Sequence, residues 1–185
     1  MKVLILHGSP NTDGLTSACA EAVASGAKSA GFEAETIVLC DHDLNSCGQC
    51  NDGWGKCREE GWCVIDDDFA SVRDKVLAAD ALAIVTPVYF GDLSEVMKNL
   101  LDRLRRCERG VEESSMKGLW TLAVSAAGGS GGGTISCSQS LERYFAHMGC
   151  RVFDFVTITR RSREYKLAAI EAAAAAMAKE AAAGE

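Results

Sequence analysis

Lys2-Val-Leu-Ile-Leu-His7, followed by Gly8-Ser-Pro-Asn-Thr-Asp-Gly-Leu-Thr-Ser17, opens the chain and decides its reading. A short apolar run gives way to a loop of small and hydroxylated residues, and an Ala-rich helical stretch starts directly after it. A strand, a polar loop and a helix in this order build an anion site. Backbone N–H groups at the helix N-terminus, with their partial positive charge, face a phosphate. The hydroxyls of Ser9, Thr12, Thr16 and Ser17 add hydrogen bonds without bulk. The loop carries no Gly-Lys-Ser/Thr and no Gly-x-Gly-x-x-Gly, which argues against a P-loop and against the common dinucleotide fold. A monophosphate such as that of FMN suits the pattern; an ordinary strand-to-helix turn is the plainer alternative.

Working outward, apolar runs of strand length recur at 34–39, 81–86, 119–125 and 151–157, none with strict polar alternation, as expected of a sheet covered on both faces. Helical patterns separate them. Leu93, Val96, Met97, Leu100, Leu101 and Leu104 follow helical spacing, as do Leu141, Phe145 and Met148 in a helix beginning near Thr134. A further helix over about 68–79 uses Phe69, Val72 and Val76, with Asp66 or Asp67 as its N-cap. Residues 163–183 form a last, very Ala-rich helix with a thin apolar face. Five strand units joined by helices predict a doubly wound parallel sheet in a single domain over residues 1–185, with ligands at the C-terminal strand ends. The one irregular insertion is 40–66.

At 185 residues the chain can bury a full core, and 48% hydrophobic content excludes general disorder. A formal charge of −7 argues against nucleic acid or an anionic membrane as partner. Met1-Lys2 leads straight into the first strand, so a cytoplasmic protein is expected.

Two more loops fall at the predicted ligand edge. Thr86-Pro-Val-Tyr-Phe-Gly-Asp92 pairs a rigid turn with two aromatics that can line or stack on a flat ring, or merely cap the core. Ser125-Ala-Ala-Gly-Gly-Ser-Gly-Gly-Gly133 has five glycines in six positions. Such a loop supplies no packing and loses extra entropy on folding, so it belongs where backbone approaches a ligand, or to a flexible surface.

The Gly8–Thr16 string, Cys47-x2-Cys50, Asp66-Asp-Asp-Phe69, Thr86-Pro-Val-Tyr-Phe90, Met97-Lys98 through Asp102-Arg103 and the Gly-rich loop together make the chain resemble the NAD(P)H-dependent FMN reductase family from residue 1 to about 157. The resemblance implies a flavodoxin-like fold with strand order 2-1-3-4-5, and FMN as cofactor. By position it implies a phosphate site of Ser9, Asn11, Leu15, Thr16 and Ser17. A ring site follows from Pro87, Val88, Tyr89, Phe90 and Gly91, with Ala127, Gly128 and Gly129 opposite. The family's usual basic residue after Pro is absent here, where Asn11 stands, so phosphate binding would rest on N–H and hydroxyl groups. A homodimer or homotetramer is implied as well; Trp54, Trp62 and Tyr89 in loops around the site agree with it.

Cys47-x2-Cys50-x6-Cys57-x5-Cys63 sets four thiols within seventeen residues. Iron–sulfur flavoproteins, a related group, carry a compact cysteine motif here for a 4Fe-4S cluster, but Gly53 occupies the place where a third cysteine is expected. Cluster ligands, zinc ligands and free thiols all stay open, the last being preferred. Cys19, Cys40, Cys137 and Cys150 read as small buried hydrophobes. His7 reads as a satisfied strand-end histidine, and no Ser-His-Asp order or paired carboxylates support hydrolysis.

The leading expectation is an FMN-dependent oxidoreductase taking hydride from NAD(P)H and passing electrons to a quinone, free flavin or other small acceptor. The alternative is an iron–sulfur electron carrier served by a ferredoxin-like partner.

Overall fold

The computed structural model describes residues 1–109 and 113–184. Five parallel strands, β1 (Lys2–His7), β2 (Glu33–Val38), β3 (Ala81–Pro87), β4 (Trp120–Ala127) and β5 (Arg151–Thr159), stand in the order 2-1-3-4-5. Between them run α1 (Leu15–Ser29), the short α2 (Lys56–Glu59), α3 (Phe69–Leu77), α4 (Glu95–Arg109) and α5 (Thr134–Met148). The chain ends in α6 (Arg163–Ala183). The predicted topology is the observed one.

Alternation along the central strands feeds two cores. Val3, Ile5, Ala81, Ala83, Val85, Leu122 and Val124 face α1 and α6, whereas Leu4, Leu6, Leu82 and Ile84 face α3, α4 and α5. Both faces of β1, β3 and β4 are dry, so their sequences are mainly apolar, broken only by Lys2, His7, Thr86, Thr121 and Ser125. The edge strands depart from that expectation. Only Ile37 of β2 and Val156 and Ile158 of β5 are buried, because an edge strand has one neighbour and incomplete helix cover.

The thin face of α6 is compensated by close approach. A Cβ at Gly26 on α1 would lie 2.2 Å from the Glu171 carbonyl oxygen, so the two helix backbones nearly touch. Ala174, Ala178 and Ala181 are buried in that seam beside Ile170 and Met177. No helix among the described residues is long and apolar enough to cross a membrane.

Three local expectations change. The helix predicted over 68–79 is shorter, and its backbone cap is Asp68. Asp67 instead accepts the Phe69 N–H at 3.1 Å, having been drawn inward by α4. Cys40 is exposed, because the chain leaves β2 in a single turn of 3-10 helix, Leu39–Asp41, rather than extending the strand.

Candidate functional site

The sheet order reverses at β1, with β2 added on one side of it and β3 to β5 on the other, and here the first loop leaves the sheet. This is the topological switch point at which open α/β sheets leave a crevice. Gly8 N–H still bonds to the Val85 carbonyl at 2.9 Å, tying the loop's start to β3. The Ser9 hydroxyl then accepts the Asn11 N–H at 3.2 Å, and the Ser17 hydroxyl donates to the Asn11 carbonyl at 2.6 Å. Thr16 and Ser17, with Leu15 packed beneath them, form the first turn of α1 rather than part of the loop. The N-cap of α1 is Gly14, which offers no side-chain acceptor, and the first turn holds no acidic residue. The leading N–H groups of this helix are therefore free to hold an anion.

His7 lies directly under that turn, 2% exposed, with Nε2 3.3 Å from Ser17 Oγ. Because the Ser17 proton is committed to Asn11, Nε2 is the donor in this contact and Nδ1 the bare acceptor. Burial lowers the His7 pKa, partly opposed by Asp41, and keeps the ring neutral. Nδ1 has no partner, and neither does the Ser94 hydroxyl at the start of α4. A Cβ at Gly8 would sit 2.7 Å from that hydroxyl. Two unpartnered buried polar atoms thus flank the first residue of the loop, a pairing that costs stability unless a ligand or water completes it.

The second loop is a two-residue hairpin. Tyr89 and Asp92 exchange both backbone hydrogen bonds, at 2.9 and 3.0 Å, around Phe90 and Gly91. Both central residues have positive φ, +49° at Phe90 and +83° at Gly91. A bulky aromatic in this region is strained, and strain of this kind collects at functional sites. The Phe90 side chain makes no use of the core: it is fully exposed, with Tyr89 beside it at 46%. Pro87 ends β3 in the sheet, and Val88 N–H bonds to Ala126 O at 3.0 Å, so this loop and the third leave the sheet side by side.

In the third loop Ala127 is buried as the last residue of β4. Gly128 and Gly129 have open space where a Cβ would stand. Gly133, with φ +82°, caps α5; a Cβ there would meet the Gly91 Cα at 2.6 Å. The Ser136 hydroxyl donates to the Gly91 carbonyl at 2.7 Å. The second and third loops are thereby bound to each other, backbone against backbone.

The insertion forms a second centre. Cys47, Cys50, Cys57 and Cys63, all half-buried, line one half-open cavity of about 20 Å³ with Cys107, Arg103, Arg106 and Trp62. Among the described residues no three His, Cys, Asp or Glu side chains are arranged to hold a single metal ion. A cluster spaces its thiolates further apart than one ion does, because its own iron and sulfide lie between them, and convergence on a shared cavity is the arrangement that donor set requires. Arg106 bonds to the Gly53 carbonyl and lies over Trp54, 4.6 Å from the ring centre. Lys56 lies 4.9 Å over Trp62. The cavity lining thus includes the cationic Lys56, Arg103 and Arg106. Cys107 behind it is pushed up to about 12 by burial and by the neighbouring Cys63 and Cys57.

Sequence spacing missed one residue here. Arg103, named above only within the string Met97-Lys98 through Asp102-Arg103, is 1% exposed. It makes a bidentate pair with Asp67, Nη1 to Oδ2 at 2.6 Å and Nη2 to Oδ1 at 2.8 Å. The signal was present: Arg103 falls three residues after Leu100 and four before Cys107, on the inward face of α4.

The two centres lie at different stations of α4. Nine residues separate Ser94 from Arg103, which at helical rise is about 14 Å.

Known proteins resemble this chain in sequence and in fold. An iron–sulfur flavoprotein of Methanocaldococcus jannaschii is 34% identical over 145 residues, covering 78% of this chain and 72% of that protein. One of Methanosarcina thermophila is 31% identical over 142 residues, covering 77% and 71%. Among solved structures, the NAD(P)H:quinone oxidoreductase from Methanothermobacter marburgensis superposes with a TM-score of 0.74 at 20% identity, over 95% of this chain and 94% of that one. A flavodoxin from the domain Archaea gives 0.67 at 17% identity, over 98% and 99%; both likenesses speak for the flavodoxin-like fold alone. The sequence model of the NADPH-dependent FMN reductases matches residues 1–162, all five strands included. The chain belongs to the NADPH-dependent FMN reductase family, and is an FMN-dependent oxidoreductase.

Proposed function

We propose that the three loops hold FMN, that NAD(P)H reduces it, and that a small molecule such as a quinone or free flavin is the acceptor. The observation that carries this is the uncapped N-terminus of α1 at the switch point of the sheet, beside the unpartnered His7 Nδ1 and Ser94 Oγ. Ser9, Asn11, Leu15, Thr16 and Ser17 hold the phosphate through N–H and hydroxyl groups. Pro87, Val88, Tyr89, Phe90 and Gly91 line one side of the ring, and Ala127, Gly128 and Gly129 the other. When bound, the flavin supplies hydride acceptance and onward electron transfer; the protein supplies position and electrostatics. The open positions at Gly128 and Gly129 leave room for a planar group to approach the backbone. Neutral His7 orients Ser17 without adding charge beneath the phosphate.

Cys47, Cys50, Cys57 and Cys63 are assigned to a 4Fe-4S cluster. Their common cavity supports this, and so do relatives whose names carry iron and sulfur. Exposed Trp54, Trp62, Tyr89 and Phe90 support a homo-oligomer.

Anaerobic titration with NADPH and NADH tests the reading: fast bleaching of the flavin supports it. A second reading, an electron carrier served by an acidic ferredoxin, draws on the cationic rim of Lys56, Arg58 and Arg106 around the cysteine cavity. Bleaching by reduced ferredoxin alone would replace the first reading with the second.

A further inference from the structure

A bidentate ion pair withdrawn from water is poor evidence for stability, since desolvating both charges offsets most of their attraction. The Arg103–Asp67 pair therefore calls for another role, and its surroundings supply one. Asp67 is wholly buried and held by three further donations: the Asn45 N–H at 3.0 Å, the Asn45 side-chain amide at 3.2 Å and the Phe69 N–H at 3.1 Å. The guanidinium lies 4.1 Å over the Phe69 ring. Nη1 also donates to the Asn45 carbonyl at 3.1 Å. Its plane is thus fixed by carboxylate, carbonyl and ring. Among the described residues the one further hydrogen bond is from Nη2 to the Cys63 sulfur at 3.4 Å, while the buried Nε has no partner.

We propose that Arg103 is a positioning residue of the four-cysteine site, fixing Cys63 and placing a charge-assisted hydrogen bond on its sulfur. This rests on the cluster reading given above. Cys63 is the last of the four cysteines, and the strand of insertion that carries it returns at once to Asp67 and α3. Asn45, two residues before Cys47, is fastened to the same guanidinium. Both ends of the cysteine segment are therefore tied to a single side chain on α4, and the cavity they enclose is held against the body of the protein. A donor on a ligand sulfur also stabilises the more negative, reduced state of a cluster, which raises its potential. The other cavity-lining arginine does not do this: Arg106 spends its contacts on the Gly53 carbonyl and Trp54.

The test compares the wild type with the double variant Arg103→Met/Asp67→Asn. The pair leaves together, so net charge is unchanged, no carboxylate is stranded, and Asn keeps one oxygen, for either the Phe69 N–H or the Asn45 N–H. What is lost is the hydrogen bond to the Cys63 sulfur and, with it, the Nη1 bond to the Asn45 carbonyl. Iron and acid-labile sulfide are measured on anaerobically prepared protein, followed by the midpoint potential in a dye-mediated titration read by electron paramagnetic resonance. Wild type carrying iron, and a variant carrying iron whose reduced-to-oxidised ratio at fixed potential falls about tenfold, support the proposal; that change is about 59 mV for a one-electron couple. An iron-loaded variant with the wild-type potential overturns it while leaving the cluster reading intact. Wild type with no iron after reconstitution overturns both, a result visible without any variant. Arg103→Lys provides a second route if circular dichroism shows the double variant unfolded. One ammonium cannot serve Asp67 and Cys63 together, so a smaller downward shift is expected, and an unchanged potential again overturns the proposal.

Discussion

Gly133→Ala tests the junction that joins two of the three loops. Gly133 has φ +82°, where an L side chain meets its own carbonyl, at a cost of about 1 kcal/mol or a little more. The added Cβ would also lie 2.6 Å from Gly91 Cα and 3.1 Å from Gly91 N. Both are backbone atoms of a hairpin that is itself clamped by the Tyr89–Asp92 bonds, so nothing flexible can move aside. Overpacking of this kind costs about 1–3 kcal/mol. Together the two effects come to roughly 2–4 kcal/mol, which for a chain of this length lowers the melting temperature by roughly 4–16 °C. If the hairpin yields instead, the ring loops separate and the loss is read in FMN affinity, at tenfold for each ~1.4 kcal/mol. Calorimetry of the FMN-free protein and fluorescence titration with FMN measure both. A variant unchanged in melting temperature and in affinity would refute the argument, since the strain must appear in one or the other.

Gly129→Ala should behave in the opposite way. Its Cβ meets open space and its φ is ordinary, so the FMN-free protein should melt as wild type while FMN binds at least tenfold more weakly; equal affinity by titration would remove Gly129 from the ring site. The Asp67 carboxyl is raised by burial, but the hydrogen bonds from Arg103, Asn45 and Phe69 outweigh this and hold it at about 2. Its folded value lies below its unfolded one, so its contribution of about 2 kcal/mol is complete above about pH 4 and lost as pH falls toward 2. Asp67→Asn should therefore flatten the acid limb of a urea-stability profile in that window, and an unchanged slope there would contradict the assignment. Light scattering at micromolar concentration should give a multiple of the 19.6 kDa chain mass; a monomer would count against the oligomer.

The sheet was legible because its three central strands are buried on both faces, which leaves an apolar run no other reading. The loops were legible because Gly, Pro and adjacent aromatics at strand ends mark close backbone approach. What escaped did so for tertiary reasons. Arg103 looks like surface charge in any window that lacks Asp67 and Phe69, which lie some thirty-five residues away. His7 reads as a satisfied strand end, yet its unpartnered nitrogen follows from how Ser17 spends its proton on Asn11. The strain at Phe90 depends on a hairpin only two residues long, and no propensity announces it. Cys40 was misjudged because a 3-10 turn after β2 swings it outward.

The most direct test of the account is an anaerobic titration of the purified protein with FMN and then NADPH, followed by absorbance. The account predicts one FMN per chain with its two visible bands, lost on addition of one equivalent of NADPH. A colourless protein that takes up no added FMN would contradict it.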